Sequence, residues 1–136
     1  MTERVVVHVD GGARGNPGPA AVGAVVSSAD GDVLAEEGRY IGEATNNVAE
    51  YRAVLLGLEL ARSLGARAVE VVNDSELVAR QIGGQYKVKN PGLRPLWQDA
   101  MTSLREFDSW SVKNVPRALN ARADELVNEA LDQEAG

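Results

Sequence analysis

The chain has 136 residues, with 20 acidic against 14 basic side chains for a formal charge of −6, one histidine and no cysteine. That length is most simply one domain, and the missing cysteines exclude disulfides, thiol nucleophiles and cysteine-ligated zinc, so any metal falls to oxygen ligands or to His8. No run of eighteen apolar residues and no secretory leader pattern occur, so a soluble cytoplasmic protein with no membrane partner is expected.

Val5 to Val9 is β-branched and runs into Asp10, giving a first strand with Val5, Val7 and Val9 on one face and Val6, His8 and Asp10 on the other. Asp10 is expected at its exit, followed by a loop carrying four glycines and two prolines. VGAVVSS and VLAEEGRYIG then read as two strands around an Asp30-Gly31 turn, completing an antiparallel meander. From Asn46 to Ser63 the apolar period becomes helical, through Tyr51, Val54, Leu55, Leu58 and Ala61, with Gly65 as the C-terminal cap. AVEVV at 68 to 72 suits a buried strand, and the segment after it begins a helix with Asp74 or Ser75 at its start. Leu93 to Phe107 reads as a helix opened near Pro95, SWSVKNV as a fifth strand and Asn120 to Leu131 as a last helix. The order βββαβααβα fits an α/β fold with a mixed five-stranded sheet flanked by helices.

Four acids stand out by position. Asp10 alone also reads as turn chemistry, Asp74 as a helix N-cap, and Asp124 as a complement to a helix dipole. Glu50 is harder to explain as structure, because it shares its helical stripe with Ala53, Val54, Gly57 and Ala61, the residues that let a helix approach a sheet closely. A carboxylate facing inward needs a cation or a donor, here a divalent ion or an arginine such as Arg39 or Arg52. If the first and fourth strands are parallel neighbours, Asp10 and Asp74 meet at strand ends, and the converging carboxylates repel unless divalent cations neutralise them. An all-oxygen cluster suits Mg²⁺ or Mn²⁺, two of which can clamp both oxygens of a phosphodiester displacement.

In order, DGGARGNPGPAAVGAVV at 10 to 26, TNNVAEYRAVLLGLELA at 45 to 61, NDSELV at 73 to 78 and VPRALNARADELVNEA at 115 to 130 resemble type 1 ribonuclease H over essentially the whole chain. The resemblance implies a ribonuclease H-like fold with strand order 3-2-1-4-5, and an endonuclease that cuts the RNA strand of an RNA/DNA hybrid to leave 5′-phosphate and 3′-hydroxyl ends. It implies a monomer with a two-ion site on Asp10, Glu50, Asp74 and Asp124, with Mg²⁺ as cofactor and Mn²⁺ as substitute. Gly11, Gly12, Arg14 and Asn16 match its substrate loop, and Thr45, Asn46 and Asn47 match residues that touch the hybrid backbone and minor groove. The helix-capping role of these last three is compatible with that contact.

The chain departs from many bacterial relatives in having no histidine before the last acid; Arg117 matches the arginine of the VPR motif in the archaeal-like branch, where it serves the catalytic cycle by aiding metal or product release, and also reads as a phosphate contact. His8 reads as structural, and Trp97 and Trp110 as core anchors rather than base-stacking platforms. Only GGQYKVKNPGLRP lies between Ile82 and Leu96, so the long basic handle is missing and Lys87, Lys89 and Arg94 stand in its place. Two rival readings are a non-catalytic hybrid-binding module and a phosphatase with an aspartyl nucleophile; the second needs a further acid where Gly12 stands.

Overall fold

The computed structural model describes residues 3–135. Five strands form one mixed sheet in the order β3-β2-β1-β4-β5, the order the resemblance implies. They are β1 Arg4–Ala13, β2 Gly18–Ser28, β3 Val33–Ala44, β4 Ala68–Asn73 and β5 Ser109–Asn114. β1 pairs antiparallel with β2 and parallel with β4, β2 antiparallel with β3, and β4 parallel with β5. The helices are α1 Asn46–Ser63, α2 Glu76–Ile82, α3 Arg94–Arg105 and α4 Ala121–Ala135, with a 3₁₀ turn at Arg117–Asn120 leading into α4. Among the described residues no helix is long and apolar enough to cross a membrane.

β1 corrects the expected boundary after Val9. The strand carries on through Asp10, Gly11, Gly12 and Ala13, because β2 supplies a partner for each: Gly11 faces Val22, Gly12 faces Ala21 and Ala13 faces Ala20. Neither Gly11 nor Gly12 has a positive φ; the chain reverses at Gly15, where φ is 97°. The loop is therefore confined to Arg14–Pro17, and Pro19 belongs to β2 rather than to the turn. The second reversal falls where the Asp30-Gly31 signal placed it, with Gly31 at φ 95° and its N–H donating to the Ser28 carbonyl at 3.0 Å.

The alternation in β1 decides which face carries the main core. Val5, Val7 and Val9 are buried with Val22, Ala24 and Val26 of β2 and Val69 and Val71 of β4, beneath α1 and α3. Each such valine contributes about 1.5–3 kcal/mol on full burial. α1 lies close to β1 at Gly57, where an added Cβ would stand 2.5 Å from Val7 Cγ1 and 2.7 Å from Val9 Cγ1. Thr45 caps the start of α1, its Oγ1 accepting from the Val48 N–H at 3.2 Å. At the other end Gly65, at φ 78°, donates to the Arg62 carbonyl while the Ala66 N–H donates to Ala61, the paired bonds of a Schellman cap. Trp97 and Trp110 pack against this core, as expected of anchors.

α4 covers the opposite face over β2 and β3, burying Ala21 against Val127, Ala130 and Leu131. It approaches so closely that a Cβ at Gly23 would lie 2.5 Å from the Ala123 carbonyl oxygen. That contact fixes the height of the residue after Ala123, which is Asp124.

Candidate active site

β1 outlasts its parallel neighbour. Pairing with β4 stops at His8 opposite Val72, while β1 continues beside β2 to Ala13, so Asp10 lies where one edge of the strand has lost its partner. β4 ends at Asn73, and Asp74 follows just beyond its end. Ser75 caps α2, its hydroxyl accepting from the Val78 N–H at 3.3 Å, so Asp74 is not the N-cap and its carboxylate is free for other work.

Glu50, one turn into α1, is 8% exposed, and its Oε1 accepts a hydrogen bond from the Gly11 N–H at 2.6 Å. The bond exists because α1 and β1 are almost in contact: a Cβ at Gly11 would fall 2.2 Å from the Ala49 carbonyl oxygen. The donor that the buried carboxylate required is thus a backbone amide; Arg39, one of the side chains considered for it, pairs with Glu37 instead.

Asp10, Glu50 and Asp74 each present a carboxylate oxygen within 4.8 Å of the others. Asp124, in the first turn of α4, lies outside that triad but lines the same cleft, close enough to Asp10 to help push its carboxyl up. Burial, then the charges of Glu50 and Asp74, push the Asp10 carboxyl up to about 9. Burial likewise pushes Glu50 up to about 7, although the Gly11 amide pulls the other way. Asp74 Oδ2 is buried without a hydrogen-bond partner, and its nearest cation is Arg117 Nε at 3.9 Å, on a side chain 82% exposed. Crowded, buried carboxylates, one with an oxygen that has no hydrogen-bond partner, fit a site for divalent cations with oxygen ligands.

The acids floor a cleft of about 460 Å³, rimmed by Gly11, Gly12, Arg14, Asn46, Asn47 and Arg117. Asn16 and Thr45 lie outside it; with Asn47 they line an adjoining hollow of about 310 Å³ that also includes Asn90 and Gly92. Two bonds tie the end of β1 and the loop after it to the start of α1: the Asn46 N–H donates to Asn16 Oδ1 at 3.0 Å, and the Ala13 N–H donates to Asn46 Oδ1 at 2.8 Å. Arg14 pairs with Asp132 of α4 at 2.6 Å. Arg122, in the first turn of α4, is turned away to Glu36 of β3 and Glu129. His8 does not line the cleft; it sits between Val25 and Val72 in the sheet, and burial lowers its pKa.

Sequence reasoning passed over three asparagines. Asn128 lines the cleft and its Nδ2 donates to the Asp124 carbonyl at 3.1 Å; the i+4 spacing from Asp124 would have placed it there. Asn90 reaches the second hollow from the loop before α3, with no local signal. Asn120 donates from Nδ2 to the Val9 carbonyl at 2.8 Å, a pairing between residues 111 apart.

A family model described as reverse transcriptase-like matches residues 8–130. The ribonuclease HI of Halobacterium salinarum is 50% identical over 129 residues, which are 95% of this chain and 65% of that protein. The chain spans 36% of the length of a bifunctional protein of Mycobacterium tuberculosis that is also 50% identical. The crystal structure of the RNase H1 from Halobacterium salinarum superposes with a TM-score of 0.94, covering 96% of this chain and 98% of that one. LC11-RNase H1, solved in complex with an RNA/DNA hybrid, is 44% identical with a TM-score of 0.93, covering 97% of this chain and 99% of that one. Together with the strand order and the placement of the acids, these matches show that the chain belongs to the ribonuclease HI family.

Proposed function

We propose that the chain is a single-domain, metal-dependent endoribonuclease that hydrolyses the RNA strand of RNA/DNA hybrids, leaving 5′-phosphate and 3′-hydroxyl ends, and that it works as a cytoplasmic monomer. The observation that carries this reading is the triad of Asp10, Glu50 and Asp74, with oxygens within 4.8 Å of one another, on the floor of a cleft rimmed by Gly11 and Gly12 of β1 and Asn46 and Asn47 of α1. The hybrid found with LC11-RNase H1 supports the choice of substrate.

Asp10, Glu50, Asp74 and Asp124 would hold the ions, Mg²⁺ with Mn²⁺ as a substitute. When bound, two divalent cations supply an activated water and charge stabilisation at the departing 3′ oxygen, so no protein nucleophile is needed. Asp10 would be the central ligand, because it belongs to the triad and its carboxyl is also the one that Asp124 perturbs. Glu50 fixes the distance between α1 and β1 through Gly11 while presenting its carboxylate. Arg117, exposed and facing Asp74, offers a charge to the scissile phosphate. Gly11 and Gly12 line the cleft in which the RNA strand would lie, Asn46 and Asn47 reach into the same cleft, and Asn16 and Thr45 form the wall of the adjoining hollow. Arg14 becomes available to the nucleic acid by exchanging Asp132 for a phosphate.

The test is cleavage of a hybrid labelled on its RNA strand, with Mg²⁺, Mn²⁺ or EDTA, beside single-stranded RNA and the Asp10→Asn variant. Metal-dependent cutting confined to the hybrid and lost in the variant is the expected result. A hybrid that is bound yet stays intact with every metal would replace this reading by that of a binding module.

A further inference from the structure

The geometry assigns to Asn120 the part of a positioning residue, whose side-chain amide locks the backbone beside Asp10 to the helix that carries Asp124. The inference rests on the proposal that the four acids hold divalent cations. In an extended strand the carbonyl of one residue and the N–H two residues later point to the same edge. Here those groups are the Val9 carbonyl and the Gly11 N–H, on either side of Asp10 and past the end of the pairing with β4. Buried backbone groups are nearly always paired, so each needs a substitute partner. Glu50 accepts from Gly11 at 2.6 Å, and Asn120 Nδ2 donates to Val9 at 2.8 Å. Asp10 is thus clamped from both sides by side chains arriving from α1 and from the segment before α4.

Asn120 has little else to do. It is 1% exposed and its Oδ1 has no hydrogen-bond partner among the described residues, so its buried amide makes the Val9 bond and no other. The amide satisfies the Val9 carbonyl but buries its own oxygen unpaired, so stability gives only part of the reason for an amide here. Its place in the chain accounts for the rest. Asn120 closes the 3₁₀ turn that begins at Arg117, and α4 starts at the next residue and presents Asp124 in its first turn. With the packing of Ala123 on Gly23, this bond sets the spacing of Asp124 from Asp10 and the reach of Arg117 to Asp74. Groups that orient metal ligands from behind commonly change cation affinity by about 10- to 100-fold when removed.

The experiment is calorimetric titration of the full chain with Mn²⁺, alongside thermal unfolding in EDTA, for the wild type, Asn120→Ala, Asn120→Leu and Leu104→Ala. Leu104 is fully buried in α3 and serves as the control for destabilisation alone. Asn120→Ala and Leu104→Ala should both unfold at lower temperature. Mn²⁺ affinity should fall by about 10-fold or more in Asn120→Ala and stay within roughly twofold of wild type in Leu104→Ala. Asn120→Leu keeps the side-chain volume without the donor, so it should lose affinity like the alanine variant; it carries the test if Asn120→Ala does not fold. Wild-type affinity in either folded Asn120 variant would overturn the assignment, as would an equal loss in Leu104→Ala. A wild-type chain that binds no Mn²⁺ would overturn the reading of the acids, and this inference with it.

Discussion

Replacing Gly11 by alanine tests the junction on which the site depends. The new Cβ would lie 2.2 Å from the Ala49 carbonyl oxygen and 2.7 Å from the Glu50 nitrogen, both backbone atoms that no rotamer change can move aside. Reaching an ordinary contact requires the start of α1 to retreat from β1 by about 1 Å or more. That retreat stretches the bond between the Gly11 N–H and Glu50 Oε1 from 2.6 Å to about 3.6 Å, outside hydrogen-bonding range. Overpacking of this kind costs about 1–3 kcal/mol and the lost bond to a carboxylate about 1.5–3 more. At roughly 3 °C per kcal/mol for a chain of this size, Tm should fall by about 10 °C. Because Glu50 moves with α1, hybrid cleavage should drop by about 100-fold. Gly12→Ala is the internal control: its Cβ would meet nothing nearer than Val127 Cγ1 at 3.9 Å, so stability should stay within about 0.5 kcal/mol of wild type. Thermal unfolding and single-turnover cleavage decide the matter. A Gly11→Ala protein as stable and as active as Gly12→Ala would refute the account of how Glu50 is placed.

Other outcomes follow from the same geometry. Asp10 and Glu50 titrate at about 9 and about 7 in the folded chain against 3.8 and 4.5 without it, so the folded state keeps protons that the unfolded state releases. Their contribution is fully present at acid pH and is lost as pH rises from about 4 towards 9, so in EDTA Asp10→Asn should gain stability over wild type with rising pH. Thermal scans at pH 5 and pH 8 that show a constant difference would contradict this. Mg²⁺ at 100 times its Kd should stabilise the wild type by about 2.7 kcal/mol, and neither Asp10→Asn nor the EDTA-treated protein should show the gain. Arg14→Ala should weaken hybrid binding and lower the slope of log affinity against log salt by about 1, as read by fluorescence anisotropy across salt concentrations. Arg122→Ala removes a solvent-exposed pair with Glu36 and should leave the urea unfolding midpoint close to that of the wild type, with cleavage unchanged.

What the sequence by itself determined is the set of features that neighbours within a few residues decide. The 3.6-residue period from Asn46 to Ser63, the Asp30-Gly31 turn, the cap at Gly65 and the alternation of Val5, Val7 and Val9 all reappear in the structure. Glu50 was legible as an inward carboxylate because its stripe of small residues is local, and Gly57 does bring α1 against Val7 and Val9. Tertiary structure decided whatever depends on a partner far along the chain. β1 runs on through Gly11 and Gly12 because β2 pairs with them, whereas composition alone read those glycines as loop. Ser75 rather than Asp74 caps α2, and the choice between adjacent candidates was settled by where β4 ends. The expected substrate residues divide between two hollows, Arg14 is held by Asp132, and Asn120 closes onto Val9 from 111 residues away. Periodicity and caps act through the backbone's own short-range geometry, so a single sequence displays them. A bond between β1 and the approach to α4 exists only after the sheet has closed, and no spacing within either segment encodes it.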